Sequence, residues 1–374
     1  MSQNLAMGKH SSALILALMA LLLLLFISAC TTVEPQETPS VDPQNSVERV
    51  PLRVLAERKG FGIGAAATLG PIRKDENYRR ILSEEFNQLV TENEMKFQRL
   101  QPEQGRFDFS KADEIVEFAR SRDMRVFGHT LVWQRGLADW LKAGDWTREE
   151  LLELLHDHID TVVSHYRGKV YAWDVVNEAL APDASLRDLI WLRGIGPEYI
   201  DLSFKWAREA DPQAHLFYNE YDGSGWGKSA QLKVDALYNL LTGLLERGVP
   251  LDGVGLQMHI GLDKPPSYEG LKQTLERLSG LGIEIQITET DIRLGNSSDS
   301  LPKKLAQQAK VYGDLIRACL DVERCSGFWF WGVTDRYTWV NGITGTPEDP
   351  LIFDRFYQPK PAYDAIAREL KKSA

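Results

Sequence analysis

Two glutamates have the placement that paired acid chemistry requires. Glu178 closes the run W-D-V-V-N-E at 173–178, and Glu289 lies in I-T-E-T-D at 287–291. Both runs are rich in β-formers, and in a parallel α/β protein the carboxyl ends of the strands form the face where ligands bind. Two carboxyl groups flanking one bond can hydrolyse a glycoside. One acid protonates the departing oxygen while the other carboxylate attacks the sugar carbon from the opposite face. The two must titrate differently, which burial and neighbouring charge can arrange. The other strand ends carry Glu92 and Asn93, His129, Asn177, Asn219 and Glu220, Gln257 and His259, Asp291, and Trp331. Gln257 and His259 lie two apart and so face one side, as do Glu289 and Asp291. His259 is placed to orient Glu289 while Asp291 fixes the imidazole tautomer. Asn177 is placed to bond a sugar 2-hydroxyl, a contact that strengthens in an oxocarbenium-like transition state. Trp133, Trp331 and Trp339 fall just beyond strands three and eight, where rings could stack. Trp191, Trp206 and Trp226 are assigned to packing, and Trp140 and Trp146 are left unassigned.

These residues need a frame that brings eight strand ends together. Short β-like runs are expected at 61–66, 88–94, 125–132, 171–178, 215–220, 254–260, 283–290 and 327–333, with helical periodicity between them. Ser110 is the expected N-cap of a helix at 111–120, and Thr147 that of a helix at 148–166. Leu151, Leu152, Leu154, Leu155, Ile159 and Val162 recur there at helical spacing. Further helices are expected at 230–247, 268–281 and 303–320. Eight alternations are the arithmetic of an α/β (β/α)8 TIM barrel in one catalytic domain. A doubly wound sheet is disfavoured: Gly62-Ile63-Gly64 is too short for a phosphate loop, and Gly223-Ser224-Gly225 opens no clear helix.

The chain has 374 residues, 43% of them apolar, and a net charge of −10 from 43 basic and 53 acidic side chains. That acidity, with no basic run, argues against a nucleic-acid partner. At the N-terminus, Lys9 and His10 precede an unbroken apolar run at 13–27, the length of a signal-peptide core. Ser28-Ala29-Cys30 follows and resembles a bacterial lipobox, in which Cys30 becomes the lipid-modified N-terminus. The expected organisation is a lipoprotein signal peptide at 1–29, a lipid anchor and flexible tether at 30–50, and the catalytic domain at 51–374. The protein is expected to be exported, and either lipid-anchored at a periplasmic or cell-surface face or secreted. An ordinary signal or a short uncleaved anchor is the alternative. Cys319 and Cys325 remain as a disulfide or as two buried thiols. No Cys/His cluster has metal-site spacing, and no cofactor is expected.

Six stretches together resemble glycoside hydrolase family 10, whose members are mainly endo-β-1,4-xylanases. They are T-E-N-E-M-K at 91–96, G-H-T-L-V-W-Q at 128–134, W-D-V-V-N-E at 173–178, Q-M-H at 257–259, I-T-E-T-D at 287–291 and W-G-V-T-D at 331–335. The likeness covers roughly 61–370. It implies a retaining double displacement with Glu178 as acid/base and Glu289 as nucleophile. It also implies that Glu92, Asn93 and Lys96 hold the xylose on the non-reducing side. His129, Trp133, Gln134, Asn177, Gln257, His259, Trp331 and Trp339 would contact substrate about the scissile bond, with Asp291 in support. It implies a Cys319–Cys325 disulfide. Phe97 stands where the family usually has tryptophan, Thr290 where leucine is usual, Glu220 for a frequent aspartate and Val340 where arginine is common. Phe97 and Val340 are expected to alter the outer subsites. The resulting expectation is a monomeric endo-1,4-β-xylanase acting on xylan and xylo-oligosaccharides, joined to a membrane through Cys30. Another retaining barrel glycosidase, such as a cellulase, and a surface lipoprotein that binds xylan without cutting it are the alternatives.

Overall fold

The computed structural model describes residues 49–222, 227–295 and 297–372, with the backbone alone at 227–229. The expected signal peptide, Cys30, nearly all of the tether, Gly223-Ser224-Gly225 and Trp226 lie outside these residues.

Eight parallel strands close a barrel in chain order. They are β1 Gly62–Ala67, β2 Gln88–Thr91, β3 Arg125–Trp133, β4 Val170–Asn177, β5 His215–Glu220, β6 Gly253–Gly261, β7 Glu284–Arg293 and β8 Cys325–Phe330. β1 and β2 are buried throughout and the other six at all but one or two positions, because helices cover the outside while side chains fill the inside. Ala66, Val90, Phe127, Ala172, Phe217 and Trp329 pack along the barrel axis. Glycine makes this possible at two places. A Cβ on Gly64 would lie 2.1 Å from the Trp329 ring inside the barrel, and one on Gly128 2.1 Å from the Trp173 ring. Trp173 belongs to the larger apolar layer between strands and helices.

The helices follow their sequence signals. Thr147 and Glu150 form a reciprocal capping box at the start of Arg148–His165, which satisfies two otherwise orphaned amides. Ser267 accepts from the Gly270 amide to begin Tyr268–Ser279. Ser110 departs from expectation: it is the first residue of helix Ser110–Arg120, with Phe109 at the cap position. Its amide and hydroxyl donate to Asp108 Oδ1 at 3.1 and 2.6 Å, so the aspartate two residues earlier does the capping work. Helix Leu301–Leu320 is joined to the start of β8 by a Cys319–Cys325 disulfide with the Cα atoms 5.2 Å apart. Closing so short a loop contributes about 2–3 kcal/mol.

The barrel is least regular where the polar residues sit. The strand register shifts between His129 and Val132, between Asp174 and Val176, between Gln257 and His259, and between Ile287 and Thr290. Each of these four reaches into the carboxyl-terminal half of its strands, and two further shifts, between Val126 and Phe127 and between Ile285 and Gln286, lie near the amino-terminal ends. Bulges of this kind re-aim side chains that strict alternation would send elsewhere.

Candidate active site

Glu178 directly follows β4 and Glu289 lies inside the carboxyl-terminal half of β7, and they are 8% and 5% exposed. Both have left-handed backbones, with φ of 56° and 53°. A glutamate gains nothing locally from that conformation, which costs about 1–3 kcal/mol and persists only where the surroundings enforce it. Two such residues at one mouth point to a constraint on where their carboxyls lie.

Amides tie the two acids into one network. Asn219 Nδ2 donates to Glu289 Oε1 at 2.6 Å and lies 3.0 Å from the side-chain amide of Asn177. The Glu289 carboxylate, an acceptor only, fixes how the Asn219 amide is turned, and Thr288 Oγ1 donates to Asn219 Oδ1 at 2.7 Å. Gln257 Nε2 lies 3.0 Å from Asn177 Oδ1 and 3.3 Å from Glu178 Oε1. Gln134 Nε2 approaches the other oxygen of Glu178 at 3.4 Å. Charge-assisted bonds of this type are the stronger ones and hold a carboxylate in direction.

His259 bridges the remaining acids. Its Nε2 is 3.1 Å from Glu289 Oε2 and its Nδ1 is 2.8 Å from Asp291 Oδ2. Burial works against a charge on this imidazole, but the charges and hydrogen bonds of Asp291 and Glu289 outweigh it and push its pKa up to about 10. Trp339 Nε1 donates to the same Asp291 oxygen at 2.8 Å, and its ring meets His259 edge-on at 4.9 Å. Trp331 lies between the two histidines, edge-on to His129 at 5.1 Å and to His259 at 6.2 Å.

On the other flank, Glu92, Asn93 and Lys96 follow β2. Asn93 Nδ2 donates to Glu92 Oε1 at 3.2 Å, and Lys96 Nζ donates to Asn93 Oδ1 at 3.0 Å. The Lys96 ammonium stands 4.8 Å over the Trp133 ring. Burial raises the Glu92 carboxyl to about 7 against the pull of Lys96. It lowers the Lys96 ammonium against the pull of Glu289, Glu92 and Glu178. The arrangement offers a carboxyl, an amide and an ammonium side by side, a set suited to sugar hydroxyls.

The structure thus brings the expected cleft residues together at one mouth, with one correction. Glu220 does not face the cleft. It is fully buried, 3.0 Å from Lys233 Nζ, because alternation along β5 turns it outward when Asn219 points in. Phe97 is buried against His158, Trp140 and Trp191, and Val340 is fully buried, so neither offers a surface to a sugar. Trp140 and Trp146 are packing residues whose indole N–H groups donate to the carbonyls of Gln101 and Leu141. Sequence reasoning missed Asp174, whose Oδ2 lies 2.7 Å from His129 Nδ1 beneath the mouth. It also passed over Asn219 as a partner of Glu289, although that residue stands at a strand end.

A cavity of about 220 Å3 beside Glu178 is lined by Arg135, Tyr221, Asp222, Gln257 and His259. A larger one, about 660 Å3, lies by Leu55, Arg58 and Cys325. It holds none of the converging polar groups, so size is a poor guide to the chemistry here.

Residues 51–369 match the domain described as Glycosyl hydrolase family 10. Endo-1,4-beta-xylanase B of Thermotoga neapolitana is 46% identical over 325 residues, which is 86% of this chain and 91% of that protein. The crystal structure of native xylanase 10B from Thermotoga maritima superposes with a TM-score of 0.82 at 43% identity, covering 86% of this chain and 98% of that one. Xylanase 10B from Thermotoga petrophila, solved in complex with xylobiose, gives a TM-score of 0.82 at 41% identity, over 87% and 98%.

Proposed function

The chain belongs to glycosyl hydrolase family 10, and from that premise we infer an endo-1,4-β-xylanase whose retaining chemistry is carried by Glu178 and Glu289. It hydrolyses internal β-1,4-xylosidic bonds of xylan or xylo-oligosaccharides by double displacement. In the first step a Glu289 oxygen attacks the anomeric carbon as Glu178 delivers its proton to the departing sugar oxygen. The product is a glycosyl ester on Glu289 and a shortened chain. In the second step the Glu178 carboxylate takes a proton from water, and the oxygen of that water displaces Glu289 from the same carbon. Two inversions give net retention.

The observation that best supports this division is the difference in what the two acids touch. Glu289 is gripped on both oxygens, by Asn219 and by His259, as suits a group that must remain an aimed carboxylate. Glu178 meets only the longer contacts of Gln134 and Gln257, at 3.4 and 3.3 Å, which leaves it free to exchange a proton. Glu92, Asn93 and Lys96 are read as the grip on the xylose at the non-reducing side. Asn177 is read as the contact to the 2-hydroxyl, and Trp133, Trp331 and Trp339 as ring-facing walls.

Reducing-sugar release from xylan and from carboxymethylcellulose tests the reading. Rapid release from xylan alone is expected. Equal release from both would favour a broader retaining glycosidase, and release from neither a xylan-binding protein. Export and anchoring complete the proposal: the apolar run at 13–27 ending at Cys30 fits a lipoprotein signal. Cys30→Ala is then expected to shift the protein from the membrane pellet to the soluble fraction, and an unchanged distribution would contradict the anchor.

A further inference from the structure

The backbone that carries Glu178 has an unusual set of partners. After β4 the chain turns into a short hairpin, closed by a bridge between Leu180 and Leu186 and by Ala181 N donating to Ser185 O at 2.8 Å. This fold-back returns Arg187 to the residues it has just left. Arg187 Nε donates to Glu178 O at 3.0 Å, and Arg187 Nη2 donates to Leu180 O at 2.9 Å. The Arg187 amide donates to Ala179 O at 2.8 Å. The three amides of the same stretch are met from β5. Glu178 N donates to Asn219 O at 2.9 Å, Ala179 N to Tyr218 Oη at 3.1 Å, and Leu180 N to Glu220 Oε2 at 3.1 Å. Every backbone donor and acceptor from Glu178 to Leu180 is therefore satisfied, and no regular sheet or helix ladder supplies the bonds.

The clamps are themselves locked. Tyr218 Oη donates to Glu220 Oε2 at 2.7 Å, and the Tyr221 amide donates to Glu220 Oε1 at 3.1 Å. The Lys233 ammonium lies 3.0 Å from that same oxygen, with both side chains buried. Arg187 Nη2 also donates to Tyr221 Oη at 2.9 Å. A buried carboxylate with its counter-ion is costly to assemble and is not evidence of stability. It does impose direction, because hydrogen bonds from Tyr218, Leu180 and Tyr221 hold both of its oxygens.

We propose that Arg187, backed by the Glu220–Lys233 pair, is a positioning residue for Glu178: it holds the backbone of residues 178–180, and with it the left-handed turn at Glu178, and so fixes where the Glu178 carboxyl meets the departing oxygen. The proposal rests on Glu178 being the acid/base. Arg187 itself contacts only backbone carbonyls and Tyr221, so its effect reaches the substrate through Glu178. The guanidinium reaches both carbonyls and Tyr221 Oη from fixed positions on one planar fork, a geometry that a lysine ammonium on its flexible stem does not reproduce.

The leaving group supplies the test. Departure of dinitrophenolate needs no protonation, whereas departure of phenolate does. Arg187→Met is expected to lower kcat/KM on phenyl β-xylobioside by about 100-fold, the scale of a mispositioned general acid. On 2,4-dinitrophenyl β-xylobioside the fall should stay within about 3-fold, with azide restoring kcat by replacing the water that Glu178 can no longer activate. Arg187→Lys and Glu220→Gln should show the same split in smaller measure, and they decide the question if Arg187→Met does not fold. An equal fall on both substrates, without azide rescue, would overturn the proposal and leave Arg187 a structural residue. Glu178→Ala separates the two claims. If it shows the split while the Arg187 and Glu220 variants do not, the positioning proposal alone fails. If Glu178→Ala shows no split, the acid/base assignment fails and takes the proposal with it.

Discussion

Two histidine–aspartate pairs stand at the mouth of the barrel, alike in bond and different in the charge of the imidazole. His129 Nδ1 lies 2.7 Å from Asp174, and His259 Nδ1 lies 2.8 Å from Asp291. The His129 side chain is 2% exposed, and burial pushes its pKa down to about 4 while pushing Asp174 up. His259 is 25% exposed and has a second carboxylate, Glu289, on its other nitrogen. There the acids prevail over burial and the imidazole is held as a cation. The difference teaches that an aspartate on Nδ1 does not by itself set a histidine's charge. Burial lowers the pKa of both imidazoles, and the neighbouring acids that bond to His259 on both nitrogens make the difference. One pair is a neutral prop under the site, while the other supplies a positive charge beside the carboxylate that attacks the sugar.

Substitutions can break this contrast at graded cost. Glu289→Ala removes the attacking group, and kcat on xylan is expected to fall by about 10⁴-fold or more. Retention of wild-type-like turnover would end the assignment. His259→Gln keeps an amide near Glu289 and Asp291 but removes the cation, so kcat should fall by about 10–100-fold, with a melting temperature lower by about 1–3 °C near neutral pH. Asp174→Asn should do the reverse. It disturbs a buried pair at a cost of about 1–3 kcal/mol, with kcat lowered less than about 10-fold. If the two variants lose activity and stability in equal proportion, the contrast between cationic partner and neutral prop collapses.

The smallest expected effect lies in pH. His259 has a folded pKa above its unfolded value of 6.5. The stability it lends is therefore full below about 6.5 and fades as pH rises toward 10. His129 has a folded pKa below 6.5, so the folded protein resists a proton that the unfolded chain accepts, and stability falls as pH drops from about 6.5 toward 4. Melting curves should show the wild-type advantage over His259→Gln shrinking on the alkaline side. The advantage over His129→Gln should shrink on the acid side. Each shift amounts to about 1–3 °C. Parallel pH profiles for the two variants would contradict the assignment of charge.

Much of this was legible in the residues. β5 falls at the expected 215–220, and the other seven strands overlap their expected runs. The strand ends named Glu178, Glu289, His259 and Asp291 before any contact was known. Asp174 was not legible, because β4 is buried on both faces and its hydrophobic run hides which side is inward. Glu220 was misplaced because strand-end position outweighed alternation, although Asn219 pointing inward already implied the outward turn. The left-handed bends at Glu178 and Glu289 have no sequence signature, since glutamate carries no preference for them. The clamp on Glu178 was equally hidden. Its arginine lies nine residues downstream and is returned by a hairpin that only the folded chain reveals.

The central claim is that Glu289 becomes covalently glycosylated while Glu178 handles the proton. Incubation with a 2-deoxy-2-fluoro-β-xylobioside bearing a good leaving group slows both steps at the sugar while allowing the first to outrun the second. Intact mass spectrometry followed by peptide mapping is expected to show one fluoroxylobiosyl adduct per chain, on the peptide that contains I-T-E-T-D and at Glu289. An adduct on Glu178, or inactivation without any adduct, would contradict the account.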